Sequence, residues 1–142
     1  MELLLVVVLM GLIFSMTTPL FAKALASVRL QTDARQMASV LRLARQEAIS
    51  SGQGKMVEFY PNNGKYKIVG QASYALNHGI AFVGNTTFTM RIDELPACGF
   101  SPSGAPSSGG TITLGNSDNR LYVIVNPVAG RIRISATPPD NW

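Results

Sequence analysis

The chain has 142 residues, 46% of them hydrophobic, with 13 Gly and 8 Pro. That length fits one domain of ordinary size. One cysteine, Cys98, excludes an intramolecular disulfide, and one histidine, His78, excludes a histidine-rich metal site. The formal net charge is +4; all 12 Lys and Arg but only seven of the 8 acids lie from Lys23 onward, leaving that part at +5. Such a mild excess permits contact with nucleic acid or an anionic surface without requiring it.

The chain opens on Glu2, a carboxylate at the mouth of an uncharged apolar run over residues 3–22. About 20 residues at about 1.5 Å each make a helix of about 30 Å, the thickness of a bilayer's hydrocarbon core. A carboxylate at that depth is costly unless a positive group neutralises it, and a neighbouring copy is the expected source. A secretory signal would carry positive charge where Glu2 stands, so the run is read as part of the mature protein. From Leu25 the pattern becomes amphipathic: Leu30, Ala34, Met37, Leu41, Ala44 and Ala48 repeat at steps of four and three, broadened by Val28 and Val40. Arg29, Arg35, Arg42, Arg45 and Glu47 fall off that stripe as a solvated face. One helix is predicted from the chain start to about Ser51, stopped by Gly52 and Gly54. Pro19 within it removes a hydrogen bond and predicts a kink, with Gly11, Ser15, Thr17 and Thr18 nearby as small or hydroxyl residues suited to close helix packing.

Past Gly54 the periodicity is that of strands. Residues 55–60 and 65–69 flank Pro61-Asn62-Asn63-Gly64 as a hairpin. Residues 79–83 and 86–92 read as two strands around Gly84-Asn85, and 96–110 as a Ser/Gly/Pro-rich loop. Strands at 111–114 and 121–126 follow, then a last hairpin through 127–130 into 131–135. The organisation expected is a stem over 1–22 and a head over 23–142, the head comprising an amphipathic helix at 23–52, a β-rich part at 55–135 and an extended tail at 136–142.

This layout resembles type IV pilins and type II secretion pseudopilins. Met1-Glu2-Leu3-Leu4-Leu5-Val6-Val7-Val8 is similar to the pilin opening, in which a glutamate starts an apolar helix, and Gly11 and Pro19 stand where pilins commonly have a glycine and a helix-breaking proline. The helix 33–49, the segment 99–104 and the segment 125–134 resemble the GspH/FimT branch. The resemblance implies an α+β pilin fold: a long N-terminal helix, with an apolar stem kinked near Pro19, packed on an antiparallel β-sheet head. It implies a further stretch and a leader peptide upstream of Met1. It also implies a structural filament subunit whose Glu2 pairs with the free, usually methylated, N-terminal amine of a neighbour. Leu3, Leu4, Leu5, Val6, Val7, Val8, Leu9, Leu12, Ile13 and Phe14 would form the filament core, with Gly11 and Pro19 shaping the helix. The implied partners are further copies in a helical filament, other pilins or pseudopilins, and the inner membrane. The chain would cross that membrane once before assembly and then stand in an extracellular or periplasm-spanning filament. Three alternatives stay open: a minor pseudopilin that caps or initiates a pseudopilus, a DNA-binding minor pilin, and an anchored domain that never polymerises.

The DNA alternative rests on Gly130-Arg131-Ile132-Arg133, similar to a Gly-Arg-x-Arg pattern by which some FimT-like pilins bind DNA. Arg131 and Arg133 alternate in a predicted strand and share one face, with Lys65, Lys67 and Arg120 as candidate additions to the patch. An enzyme is not expected. His78 reads as a surface turn residue, Asp93-Glu94 as a solvated acid pair and Cys98 as a small buried hydrophobe. No nucleophile elbow or phosphate loop occurs, and no cofactor is expected. Phe59, Tyr60, Tyr66, Tyr74, Phe82, Phe88, Phe100 and Tyr122 read as sheet core and rim, and Trp142 as a residue to pack on a neighbouring head.

Overall fold

The computed structural model describes residues 2–139, with side chains at all of these except 15–20. Trp142, the kink expected at Pro19 and the packing expected of Ser15, Thr17 and Thr18 lie outside what is described. The chain opens in one helix, α1 (Glu2–Ser51), about 75 Å long at about 1.5 Å per residue. Gly52 ends it in the left-handed conformation at φ 64°. The expected stripe is buried: Leu30, Ala34, Met37, Val40, Leu41, Ala44 and Ala48 face the core. Val28 is an exception at 60% exposure: it faces away from the head, which already half-buries Ala26 and Ser27 and reaches the Ala26 carbonyl with the Asn116 side-chain amide at 3.2 Å.

The stem is a different matter. Residues 3–14 are apolar and exposed on every side. Among the described residues no helix is long and apolar enough to cross a membrane; the span expected over 1–22 includes residues 15–20, whose side chains lie outside what is described.

The head is built from two antiparallel sheets. The first has the order β3-β2-β1-β6-β5, from β1 (Lys55–Tyr60), β2 (Lys65–Ile68), β3 (Ser73–Ala75), β5 (Arg91–Ile92) and β6 (Leu95–Phe100). The second has the order β4-β7-β8-β9, from β4 (Ala81–Phe82), β7 (Gly110–Gly115), β8 (Arg120–Val125) and β9 (Ile132–Ser135). Side chains of α1 and both sheets enter a single core. There Phe59 stacks on Phe88 at 5.6 Å and Tyr66 on Tyr74 at 5.5 Å.

Two expectations about strands are corrected. Residues 96–110 are not all loop: β6 is an inner strand, pairing Val57 with Cys98 on one side and Ile92 with Leu95 on the other. Of the strands expected at 79–83 and 86–92, only 81–82 and 91–92 form, in different sheets. β4 pairs with β7 and β5 with β6. Between them, Thr87 takes the amide of Thr111 on its hydroxyl at 2.7 Å, so a side chain stands where a ladder carbonyl would. The short β3 was not expected at all; it pairs Tyr74 with Tyr66 on the outer edge of β2.

Candidate assembly stem and basic cleft

Glu2 is the first residue of α1 and exposed. The unpaired amides of a helix start carry partial positive charge, which favours a carboxylate there. Above it, exposures run from 49% at Val6 to 79% at Leu3 over residues 3–9, with no sheltered face. Leu12, Ile13 and Phe14 continue the exposed surface. At Gly11 an added Cβ would meet nothing within 4 Å, so nothing in the single chain calls for a glycine at that point.

The second candidate is built at the β8–β9 turn. Asn126 Oδ1 accepts the amides of Val128 and Ala129, each at 2.9 Å, and the Asn126 carbonyl accepts the Gly130 amide at 3.0 Å. Gly130 turns the chain at φ 61°, and a Cβ there would stand 2.9 Å from the Gly104 carbonyl oxygen, so this turn takes only glycine without strain. The helix grips the same turn. Arg45 donates to the Gly104 carbonyl at 2.9 Å and to the Ala129 carbonyl at 3.2 Å, and Arg42 donates to the Ile132 carbonyl at 3.1 Å. These two arginines were read as solvated; they tie the helix to the head. Glu47 is likewise engaged, accepting from Gln71 at 2.8 Å.

Ile132 points into the core, which sends its neighbours Arg131 and Arg133 outward together, as their alternation predicts. With Ile124 and Asn126 they line a cleft of about 300 Å³ whose wall, among the described residues, has no acidic side chain. The register of β8 and β9 pairs Ile124 with Arg133 and Tyr122 with Ser135. By strand alternation Arg120 therefore shares that face. Lys65 and Lys67 do not join it: they sit on β2 in the other sheet, around a separate depression of about 240 Å³ with Tyr60, Asn63 and Ser73. Lys67 is engaged, 3.2 Å from the buried Glu58 carboxylate, which also accepts the Tyr60 hydroxyl at 2.7 Å. These contacts, that with Tyr60 first and that with Glu58 next, hold the Lys67 ammonium above its usual pKa.

The acid pair lies elsewhere again. Asp93 and Glu94 form the exposed two-residue turn between β5 and β6, closed by the Ile92–Leu95 pair. Both have positive φ, 48° and 66°. A turn of this kind suits Asn-Gly, and a side chain held there costs about 1 kcal/mol. Arg91 donates to the Glu94 carbonyl at 3.3 Å; among the described residues neither carboxylate has a partner. His78 is exposed in its turn, and burial pushes the Cys98 thiol up to about 12. Among the described residues no group of His, Cys, Asp and Glu could hold a metal ion.

One positioning residue went unnoticed in the sequence. Asp33 is 1% exposed and accepts both the backbone amide and the side-chain amide of Asn77, at 2.9 and 2.6 Å. Its place three residues after Leu30, on the apolar stripe, was the available signal.

A family model described as type II transport protein GspH matches residues 33–130. No sequence among the curated proteins matches the chain. Among solved structures, the minor pseudopilin EpsH from the Type 2 Secretion System of Vibrio cholerae is similar, at a TM-score of 0.62 and 16% identity over 76% of this chain and 97% of that one. A second structure of that Vibrio cholerae pseudopilin has a TM-score of 0.61 and 18% identity, covering 80% of this chain and 97% of its own. The type IV minor pilin FimU of Pseudomonas aeruginosa has a TM-score of 0.57 and 15% identity over 75% of this chain and 92% of its own. At these identities the likeness is one of fold.

Proposed function

Because the chain belongs to the type II transport protein GspH family, we propose that it polymerises through its apolar N-terminal helix as a structural subunit of a type IV pilus-like or type II secretion-type filament. The family is one of structural pilin-like proteins and not of enzymes. The observation that carries the polymerisation reading is the stem: seven successive apolar residues, 3–9, open on all sides of one helix. Burying such a side chain fully is worth about 1.5–3 kcal/mol, so water is a poor medium for this surface. Lipid covers it before assembly and the stems of other copies cover it afterwards, since the same apolar surface suits both. Gly11, with open space around its Cα, lets a neighbouring helix come close. Pro19 lets the stem bend. Glu2 sets the register by pairing with the N-terminal amine of a neighbour; in an apolar bundle, leaving either charge alone costs several kcal/mol.

The experiment is electron microscopy of material sheared from cells, with mass spectrometry of the filaments. This chain is expected in the filaments, and Glu2→Leu is expected to remove them while the head stays folded by circular dichroism. Normal filaments from Glu2→Leu would refute the charge-register role. A second reading, a minor subunit that caps or initiates a pseudopilus, is supported by the similar structures being described as minor pseudopilins and pilins. It predicts trace amounts of this chain in filaments made mainly of another subunit.

A further inference from the structure

Two surface features of the head are left over once the stem is assigned to assembly, and they match each other. One is the cleft at the outer strand β9, where two guanidiniums at alternate positions, about 7 Å apart along the strand, face outward with no acid in the wall among the described residues. The other is the Asp93–Glu94 turn at the far edge of the first sheet. It carries two carboxylates, unpartnered among the described residues, on residues held at positive φ, where Asn-Gly would be relaxed. Strain of that kind, kept at an exposed tip, points to a use for the side chains. Arginine forks suit carboxylates, whereas Lys67 in the other sheet is already engaged by Glu58.

We propose that the Arg131–Arg133 cleft of one copy receives the Asp93–Glu94 turn of a neighbouring copy, as a head-to-head contact within the assembly. The inference rests on the reading of the chain as a filament subunit. The two surfaces differ, so each copy offers its turn to one neighbour and its cleft to another. A contact of this type propagates as an open filament when its rotation does not close a ring. The cleft's apolar floor, Ile124, and the amide-bearing Asn126 at its rim bound the site on the sides the arginines leave.

The test is cysteine cross-linking of the full chain in membranes, with filaments counted separately by electron microscopy. Chains carrying both Glu94→Cys and Arg133→Cys are expected to form a ladder on oxidation. With Asp93 and Arg131 left in place to pair, its yield should exceed that of a Glu94→Cys, Ser73→Cys control about tenfold. Arg131→Glu with Arg133→Glu, or Asp93→Arg with Glu94→Arg, should weaken a native head contact read by the same assay at neighbouring exposed positions. The four changes together should restore it. A yield no higher than the control, or no restoration by the combined charge swap, overturns the proposal. So does a full chain in detergent that retards duplex DNA through Arg131 and Arg133 while the cross-link is indifferent to them, which would make the cleft a nucleic-acid site. Filaments without the ladder overturn this contact and leave the filament reading standing; a ladder without filaments supports the contact and removes that reading.

Discussion

Glu94 sits at φ 66° in a turn better suited to glycine. Glu94→Gly should therefore raise the unfolding free energy of the full chain in detergent by about 1 kcal/mol, through relief of the left-handed strain. Thermal denaturation that shows no gain would mean that the turn is not strained. Cys98 supplies a second check. Burial raises its thiol pKa from 9.0 to about 12, so the folded state favours the protonated form. The stability this gives is complete below pH 9.0 and is lost as pH rises toward about 12, at about 1.4 kcal/mol per pH unit. Tyr66, whose hydroxyl is pushed up by burial first and then by Asp33 and Tyr74, adds a loss above its ordinary pKa of 10.0. Denaturant unfolding over a pH series should show Cys98→Ala removing the loss between pH 9 and 10 and leaving above pH 10 only the loss owed to Tyr66.

At the scale of elements, the helix and the β8–β9 turn behave as one unit because Arg45 bonds two carbonyls of the loops it covers. Arg45→Ala should cost about 1–3 kcal/mol and speed hydrogen exchange at the Asn126 and Gly130 amides. Arg35→Ala, on an exposed helix position, should stay within about 0.5 kcal/mol. An Arg45→Ala chain with unchanged exchange would show that the turn holds itself. The buried stripe from Leu30 to Ala48 was legible because helix periodicity is written in the order of apolar residues. The outward pair Arg131 and Arg133 was legible because a strand alternates. By contrast, β6 was not: Pro96 and Gly99 read as loop, and four successive buried residues, 97–100, erase the alternation that marks a strand. Likewise Arg42 and Arg45 look solvated from spacing alone, since their acceptors are carbonyls about 60 to 90 positions away, at 104, 129 and 132.

For the whole molecule, the division into a bare stem and a packed head predicts that some changes separate folding from association. Gly11→Leu adds a side chain where the single chain leaves open space. It should leave head unfolding within about 0.5 kcal/mol and sharply reduce filament number in sheared material. Filaments in normal number would show that no helix approaches closely at that point. The stem and the core stripe also belong to the same helix, α1. A pull on the stem therefore enters the head along the helix axis, as shear across the whole helix–sheet interface, with the Asp33, Arg42 and Arg45 clasps loaded together. Such a head resists tension in parallel along its length, unlike a sheet peeled open one bond at a time from an edge.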